Sequence, residues 1–187
     1  DLLRAERPVL LIGGGVRSGN AVKELLELGQ ILKIPMFPTW NALDVVTSDY
    51  EYYGGRIGTY GGRGRNLGLQ NSDLVLSLGS RISGRLYGNR ADAFLRGAKK
   101  YLVDIDPGLV KPENQAILFD QSIHSPADIF IKILIQKLSS DRTPDFSAWL
   151  NRVKGWRDKY DPVLPEYYEE KRIVNPYVFF RILSEEM

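Results

Sequence analysis

Val9-Leu10-Leu11-Ile12-Gly13-Gly14-Gly15-Val16-Arg17-Ser18-Gly19, led in by Arg7-Pro8, is the stretch on which the fold turns. Four branched apolar residues between proline and glycine read as a strand buried on both faces, as in a parallel sheet. The glycines end that strand and permit a tight turn into a helix. Residues 20–33 then carry apolar side chains at 21, 22, 25, 26, 28, 31 and 32, the helical period. Ile34-Pro35-Met36-Phe37-Pro38-Thr39-Trp40 makes a second short strand, weakened by its prolines. Strand, glycine turn, helix and strand form a βαβ unit, and such crossovers are right-handed in nearly all proteins.

Working outward, the alternation continues. Residues 50–68 hold seven glycines without a period, so they read as a long loop entering a helix near 66–71. Asp73-Leu74-Val75-Leu76-Ser77-Leu78-Gly79 is the clearest later strand. Lys100-Tyr101-Leu102-Val103-Asp104-Ile105-Asp106 is another, stopped by Pro107-Gly108. A short helix is expected at 90–96 and one more strand at 116–119. Ser125-Pro126-Ala127-Asp128 starts a helix to about 138, with serine as N-cap, proline at the first helical position and an acid near the positive dipole end. This pattern predicts an α/β, Rossmann-like fold over residues 1–140, a mostly parallel sheet flanked by helices.

Beyond it the texture changes to a helical C-terminal connector. Residues 139–144 read as a polar linker, and 141–174 as a linker with a helix at 146–160. Residues 175–187 form a last helix capped by Asn175-Pro176. That helix reaches the chain end with Phe179, Phe180, Ile182 and Leu183 wanting a surface, and residue 1 is not methionine. Both features raise the expectation of a domain cut from a longer polypeptide, with 175–187 opening the next domain.

A length of 187 residues suits one domain of ordinary size. Hydrophobic content of 43% and charged content of 26% are those of a globular chain. No apolar run is long enough to span a bilayer, and the opening DLLRAERP is not expected to be a secretory leader. With no cysteine and a single histidine, disulfide frameworks, thiolate catalysis and Cys or His metal clusters are excluded. His124 has no nucleophile, base or ligand at useful spacing and reads as structural.

The net charge of +2 conceals an uneven distribution. Arg56, Arg63, Arg65, Arg81, Arg85, Arg90 and Arg96 stand together against only Asp73 and Asp92 in the same stretch, and most glycines share that half of the chain. Backbone freedom beside fixed positive charge suggests an anion or phosphate. Nucleic acid is not expected, because the patch holds no lysine and the chain is near neutral overall.

Three features carry chemistry. The Gly13-Gly14-Gly15 turn lies between a strand and a helix, where it either lets a phosphate approach the backbone or serves packing alone. Ser18 stands where the last glycine of a dinucleotide fingerprint belongs, and no acid tips the second strand to hold an adenosine ribose, as an NAD dehydrogenase requires. Arg56-Ile57-Gly58-Thr59-Tyr60-Gly61-Gly62-Arg63-Gly64-Arg65-Asn66 either binds a pyrophosphate through amides and guanidinium groups or is a solvated loop. Gly79-Ser80-Arg81-Ile82-Ser83-Gly84-Arg85 sits at the carboxyl end of a strand, where open α/β sheets bind ligands. Asp104 ends the next strand, as a ribose acceptor or as a turn acid.

Pro8-Val9-Leu10-Leu11-Ile12-Gly13-Gly14-Gly15, Gly58-Thr59-Tyr60-Gly61-Gly62, Asn71-Ser72-Asp73-Leu74-Val75-Leu76-Ser77-Leu78-Gly79-Ser80-Arg81 and Val103-Asp104-Ile105-Asp106-Pro107 together resemble the central domain of thiamine-diphosphate-dependent enzymes, the acetolactate synthase group in particular. The resemblance covers about residues 1–140, and Asn175-Pro176-Tyr177 looks like the start of the diphosphate-binding domain. It implies a parent enzyme that decarboxylates a 2-oxo acid and joins the product to a second carbonyl, in cytoplasmic branched-chain amino acid biosynthesis. Thiamine diphosphate and Mg²⁺ would be held by the N- and C-terminal domains of the same polypeptide, since no Gly-Asp-Gly occurs here. The parent would be a homodimer or homotetramer, and this domain alone would be catalytically inactive, with no catalytic residue and no metal ligand.

In acetolactate synthases the central domain binds FAD, largely as a structural cofactor. The family contact positions fall on Gly13, Gly14 and Gly15; Thr39 and Trp40; Arg56, Ile57, Gly58 and Thr59; Gly79, Arg81 and Arg85; and Asp104 with Ile105. Arg81 and Arg85 are expected to meet the diphosphate. Two departures stand out: Ser83 replaces a common acid, and Ser125 an aspartate. The other readings are a free-standing dinucleotide-binding module, an NAD-dependent deacetylase of the same fold, and a non-catalytic scaffold domain.

Overall fold

The branched run at 9–12 forms the middle of strand β1 (Pro8–Ile12), buried along its whole length. The computed structural model describes residues 1–140, 143–170 and 172–187. β1 joins β2 (Met36–Pro38), β3 (Leu74–Leu78), β4 (Lys99–Asp104) and β5 (Gln121–His124) in one sheet of order β2-β1-β3-β4-β5. Every pairing is parallel, with Leu10 opposite Met36, Ile12 opposite Leu78, Leu78 opposite Val103, and Asp104 opposite His124. This is a doubly wound α/β fold. The helices are α1 (Gly15–Ser18), α2 (Val22–Leu32), α3 (Arg63–Gln70), α4 (Gly84–Tyr87), α5 (Ala127–Leu138), α6 (Ser147–Lys159) and α7 (Pro176–Glu186). Among them, none is long and apolar enough to cross a membrane.

The period-2 alternation of a strand sends successive side chains to opposite faces, and two cores result. Leu10, Ile12, Leu74, Leu76, Leu78 and Val103 meet α2 and α5 on one face. Val9, Leu11, Phe37 and Val75 meet Leu69 of α3 with Trp149 and Val153 of α6 on the other. The indole N–H of Trp149 donates to the carbonyl of Pro8 at 3.2 Å, which ties α6 to the entrance of the central strand. Gly64 and Gly68 of α3 let the two helices close: a Cβ on Gly64 would lie 2.0 Å from the Trp156 carbonyl oxygen. Fully buried Val153 alone contributes about 2 kcal/mol by leaving water.

Several local expectations need correction. The stretch 116–119 is not a strand; the chain pairs at Gln121–His124 instead. That edge strand is mostly polar and half-exposed, so no hydrophobic pattern marks it, and the pairing to β4 decides. Residues 90–96 hold only a 3₁₀ turn, Ala91–Ala93, while the single-turn helix α4 forms earlier. Helix α3 starts at Arg63, in front of the expected 66–71. Ser125 does not cap α5: Pro126 occupies the cap position, and the serine hydroxyl donates to the Pro126 carbonyl. Asn175 does cap α7, accepting the Tyr177 N–H at 2.9 Å with Pro176 at the first position. Of the expected linker, Asp141, Arg142 and Lys171 lie outside the described residues.

Candidate functional site

In the order β2-β1-β3 the chain winds away from β1 in opposite directions, so a crevice opens at the carboxyl ends of β1 and β3. The strand tips are sewn together there. The Gly13 N–H donates to the Leu78 carbonyl at 2.9 Å, the Gly15 N–H to Gly79 at 3.0 Å, and the Gly79 N–H to Val103 at 2.9 Å. A Cβ on Gly13 would stand 2.0 Å from the Gly79 carbonyl oxygen, and Gly79 itself has φ +57°. The close passage of two backbone turns therefore requires glycine at 13 and 79, with or without a phosphate above them.

The loop that follows β2 forms the facing wall. Gly58, at φ +107°, is gripped by the Asn66 side chain, whose amide accepts from its N–H at 2.9 Å and donates to its carbonyl at 3.0 Å. The Thr59 N–H donates to the Arg85 carbonyl at 2.8 Å, which ties the loop to α4. Between the walls lies a cleft of about 2200 Å³, larger than the few hundred to roughly 1,000 Å³ of a drug-sized pocket.

Of the residues singled out by sequence, Gly13, Gly14, Gly15, Thr39, Trp40, Arg56, Ile57, Gly79, Arg81, Arg85 and Asp104 line this cleft. Gly58, Thr59 and Ile105 are not among its lining. The first two hold the wall together through Asn66 and Arg85, and the Ile105 carbonyl instead lies 2.9 Å from Nε2 of His124. His124 is therefore a brace on the turn after β4, outside the cleft. One oxygen of Asp104 accepts the Asp106 N–H at 3.0 Å, and the other is not committed to that turn.

Two exposed aromatic rings, Trp40 at 63% and Tyr60 at 85%, stand on the rim. The cleft is cationic. Among the described residues Arg56 and Arg85 have no carboxylate within ion-pair distance, and Arg81 reaches Asp106 only at 3.9 Å. Arg17 is committed to Asp44, and that guanidinium holds the Asp44 carboxyl below its usual range.

A C-terminal segment closes the site, which no sequence motif marked. Arg157 of α6, then Asp161, Pro162, Tyr177, Phe180 and Arg181, line the far side. Arg181 of α7 donates to both oxygens of Asp161 at 2.9 and 3.0 Å, and Tyr167 stacks on Tyr177 at 6.5 Å. Burial pushes the Asp161 carboxyl up, but the Val163 N–H and Arg181 outweigh it and leave it below the ordinary range. Only the arginine and proline content of 157–181 hinted at this role, and neither says which wall a helix covers.

A family model described as thiamine pyrophosphate enzyme, central domain, matches residues 1–120. The chain is similar to the acetolactate synthase large subunit of Corynebacterium glutamicum, with 31% identity over 98% of this chain and 29% of that protein. The acetolactate synthase isozyme 2 large subunit of Escherichia coli is 30% identical over 83% of this chain and 28% of its own length. Acetolactate synthase of Mycobacterium bovis is 33% identical over 89% and 28% respectively. The chain thus spans less than a third of the curated relatives it matches.

Proposed function

We propose a function from one premise: the chain belongs to the family of thiamine pyrophosphate enzyme central domains. It is the central domain of an acetolactate synthase-like enzyme, and its cleft binds FAD as a structural cofactor. The observation that carries this is the meeting, at the switch point of the sheet, of Arg81 and Arg85 with two exposed aromatic rings and Asp104. The donor set fits the group. Arginine forks match a diphosphate, Trp40 or Tyr60 offers a face to a flat ring system, and the spare Asp104 oxygen can accept a ribose hydroxyl. The lack of an acid at the tip of β2, which ends Pro38-Thr39-Trp40, speaks against NAD. The place of His124, outside the cleft, speaks against a deacetylase.

In such a parent, thiamine diphosphate would supply the electron sink for decarboxylating a 2-oxo acid and for carboligation. Mg²⁺ would anchor its diphosphate, and both would be held by the other domains of a cytoplasmic homodimer or homotetramer. What this chain contributes is binding and spacing. Its own 187 residues are expected to be catalytically inactive, with residues 141–174 as connector and α7 as the first helix of the next domain.

Titration of the chain with FAD, followed by flavin fluorescence, tests the cofactor. Saturable binding is expected, weakened about tenfold by Arg85→Gln through loss of one charge-assisted contact. No saturable binding would leave a scaffold domain and sink the flavin assignment.

A further inference from the structure

A second group of arginines faces the cleft from elements other than the strand tips. Arg65 leaves α3 with its stem laid across two glycines. A Cβ on Gly55 would lie 2.3 Å from its Cγ, and one on Gly62 3.1 Å from its Nη1. Those two positions are thus the space this arginine occupies, and Gly55, at φ +110°, is a position that suits only glycine in any case. Arg157 approaches from α6, held by donation from Nη1 to the Tyr53 carbonyl and from Nε to Asp158, each at 3.1 Å. Arg56 borders them from the loop, and all three line the cleft.

The neighbouring acids are already engaged. Asp158 takes Arg157, Asp161 takes Arg181 and the Val163 N–H, and Glu185 of α7 acts on Arg181. Among the described residues the half-buried Arg65 guanidinium has neither a carboxylate within ion-pair distance nor a hydrogen-bond partner. Its burial first, and then the like charges of Arg56 and Arg157, lower its proton affinity, while Tyr53 and Asp161 act the other way. A half-buried guanidinium beside two like charges lacks a counter-ion. A phosphate group supplies one, with acceptor edges for two arginine forks at once.

We propose that Arg65 and Arg157 form a phosphate-binding subsite on the α3–α6 wall, separate from the contacts assigned to FAD at the strand tips. It shares the cleft with the flavin and does not depend on it. The ligand class is a phosphate or diphosphate ester, or free pyrophosphate.

Calorimetric titration of the 187-residue chain with inorganic pyrophosphate at low ionic strength, with and without saturating FAD, tests it. Arg65→Gln and Arg157→Gln are each expected to weaken binding about tenfold. Arg96→Gln, exposed and outside the cleft, leaves it unchanged. Circular dichroism accompanies each variant, and Arg157→Gln carries the test if Arg65→Gln unfolds. Titration with ADP against riboflavin separates a nucleotide phosphate from a flavin ring as the group recognised. The proposal is overturned if pyrophosphate does not bind, if both variants bind as the parent chain does, or if FAD abolishes the binding. FAD that fails to bind, beside pyrophosphate binding lost in Arg65→Gln, defeats the flavin assignment and leaves this one standing.

Discussion

Two glycine loops face each other across the cleft, and their glycines answer to different needs. In Gly13-Gly14-Gly15 the outer two allow backbone to pass backbone, since Gly79 lies where their side chains would be. In 54–62 Gly55 instead leaves room for the Arg65 stem, while Gly58 takes the positive φ that Asn66 then locks and, like Gly61, passes close to backbone. The first loop is a packing seam; the second adds to such a seam, at Gly55, a mount for charge. A run of glycine beside a strand therefore does not by itself identify a phosphate cradle, and the cations around it are the better guide.

The comparison breaks most visibly at Gly13→Ala. Its Cβ would meet the Gly79 carbonyl, which three parallel strands hold in place, so a loss of about 3 kcal/mol is expected, read as a lowered urea midpoint. A loss under about 1 kcal/mol would mean that the seam is loose. Gly55→Ala should cost less, about 2 kcal/mol, because the φ is strained but the far side of the clash is a side chain able to swing away. Its sharper effect should be on pyrophosphate affinity, which falls as Arg65 is displaced; unchanged affinity would detach Gly55 from the charge. The smallest expected change is Asn66→Ala, about 1 kcal/mol for two half-buried hydrogen bonds. Amide exchange at Gly58 should then quicken while Gly13 and Gly79 stay protected, and equal quickening at all three would show that the two loops are not independent.

Much of the fold was legible because its signals are local. The 9–12 run, the helical period at 20–33 and the apolar strand at 74–78 each announce their own conformation. The Asn175-Pro176 start of α7 is equally local, and its cap bond forms as expected. The polar edge strand at Gln121–His124 was not legible, since its conformation comes from pairing with β4. At the cleft, the strand-tip residues and Arg81 with Arg85 could be picked out, because loops after parallel strands gather at one edge. Ile105 could not be separated from Asp104 by any pattern, though its carbonyl meets His124 and its side chain is exposed. Arg65 stood in a quoted motif, but nothing in one dimension distinguishes a guanidinium with a counter-ion from one without.

The sequence by itself determined an α/β chain with a parallel sheet, a cationic glycine-rich half and the family to which it belongs, since periodicity and residue chemistry are written locally. Only the tertiary structure decided which glycines touch backbone and which make room for arginine. It alone brought Arg157 and α7 across to face residues a hundred positions earlier. Those outcomes depend on pairing and packing between distant segments, where a few tenths of a nanometre separate a seam from a binding wall.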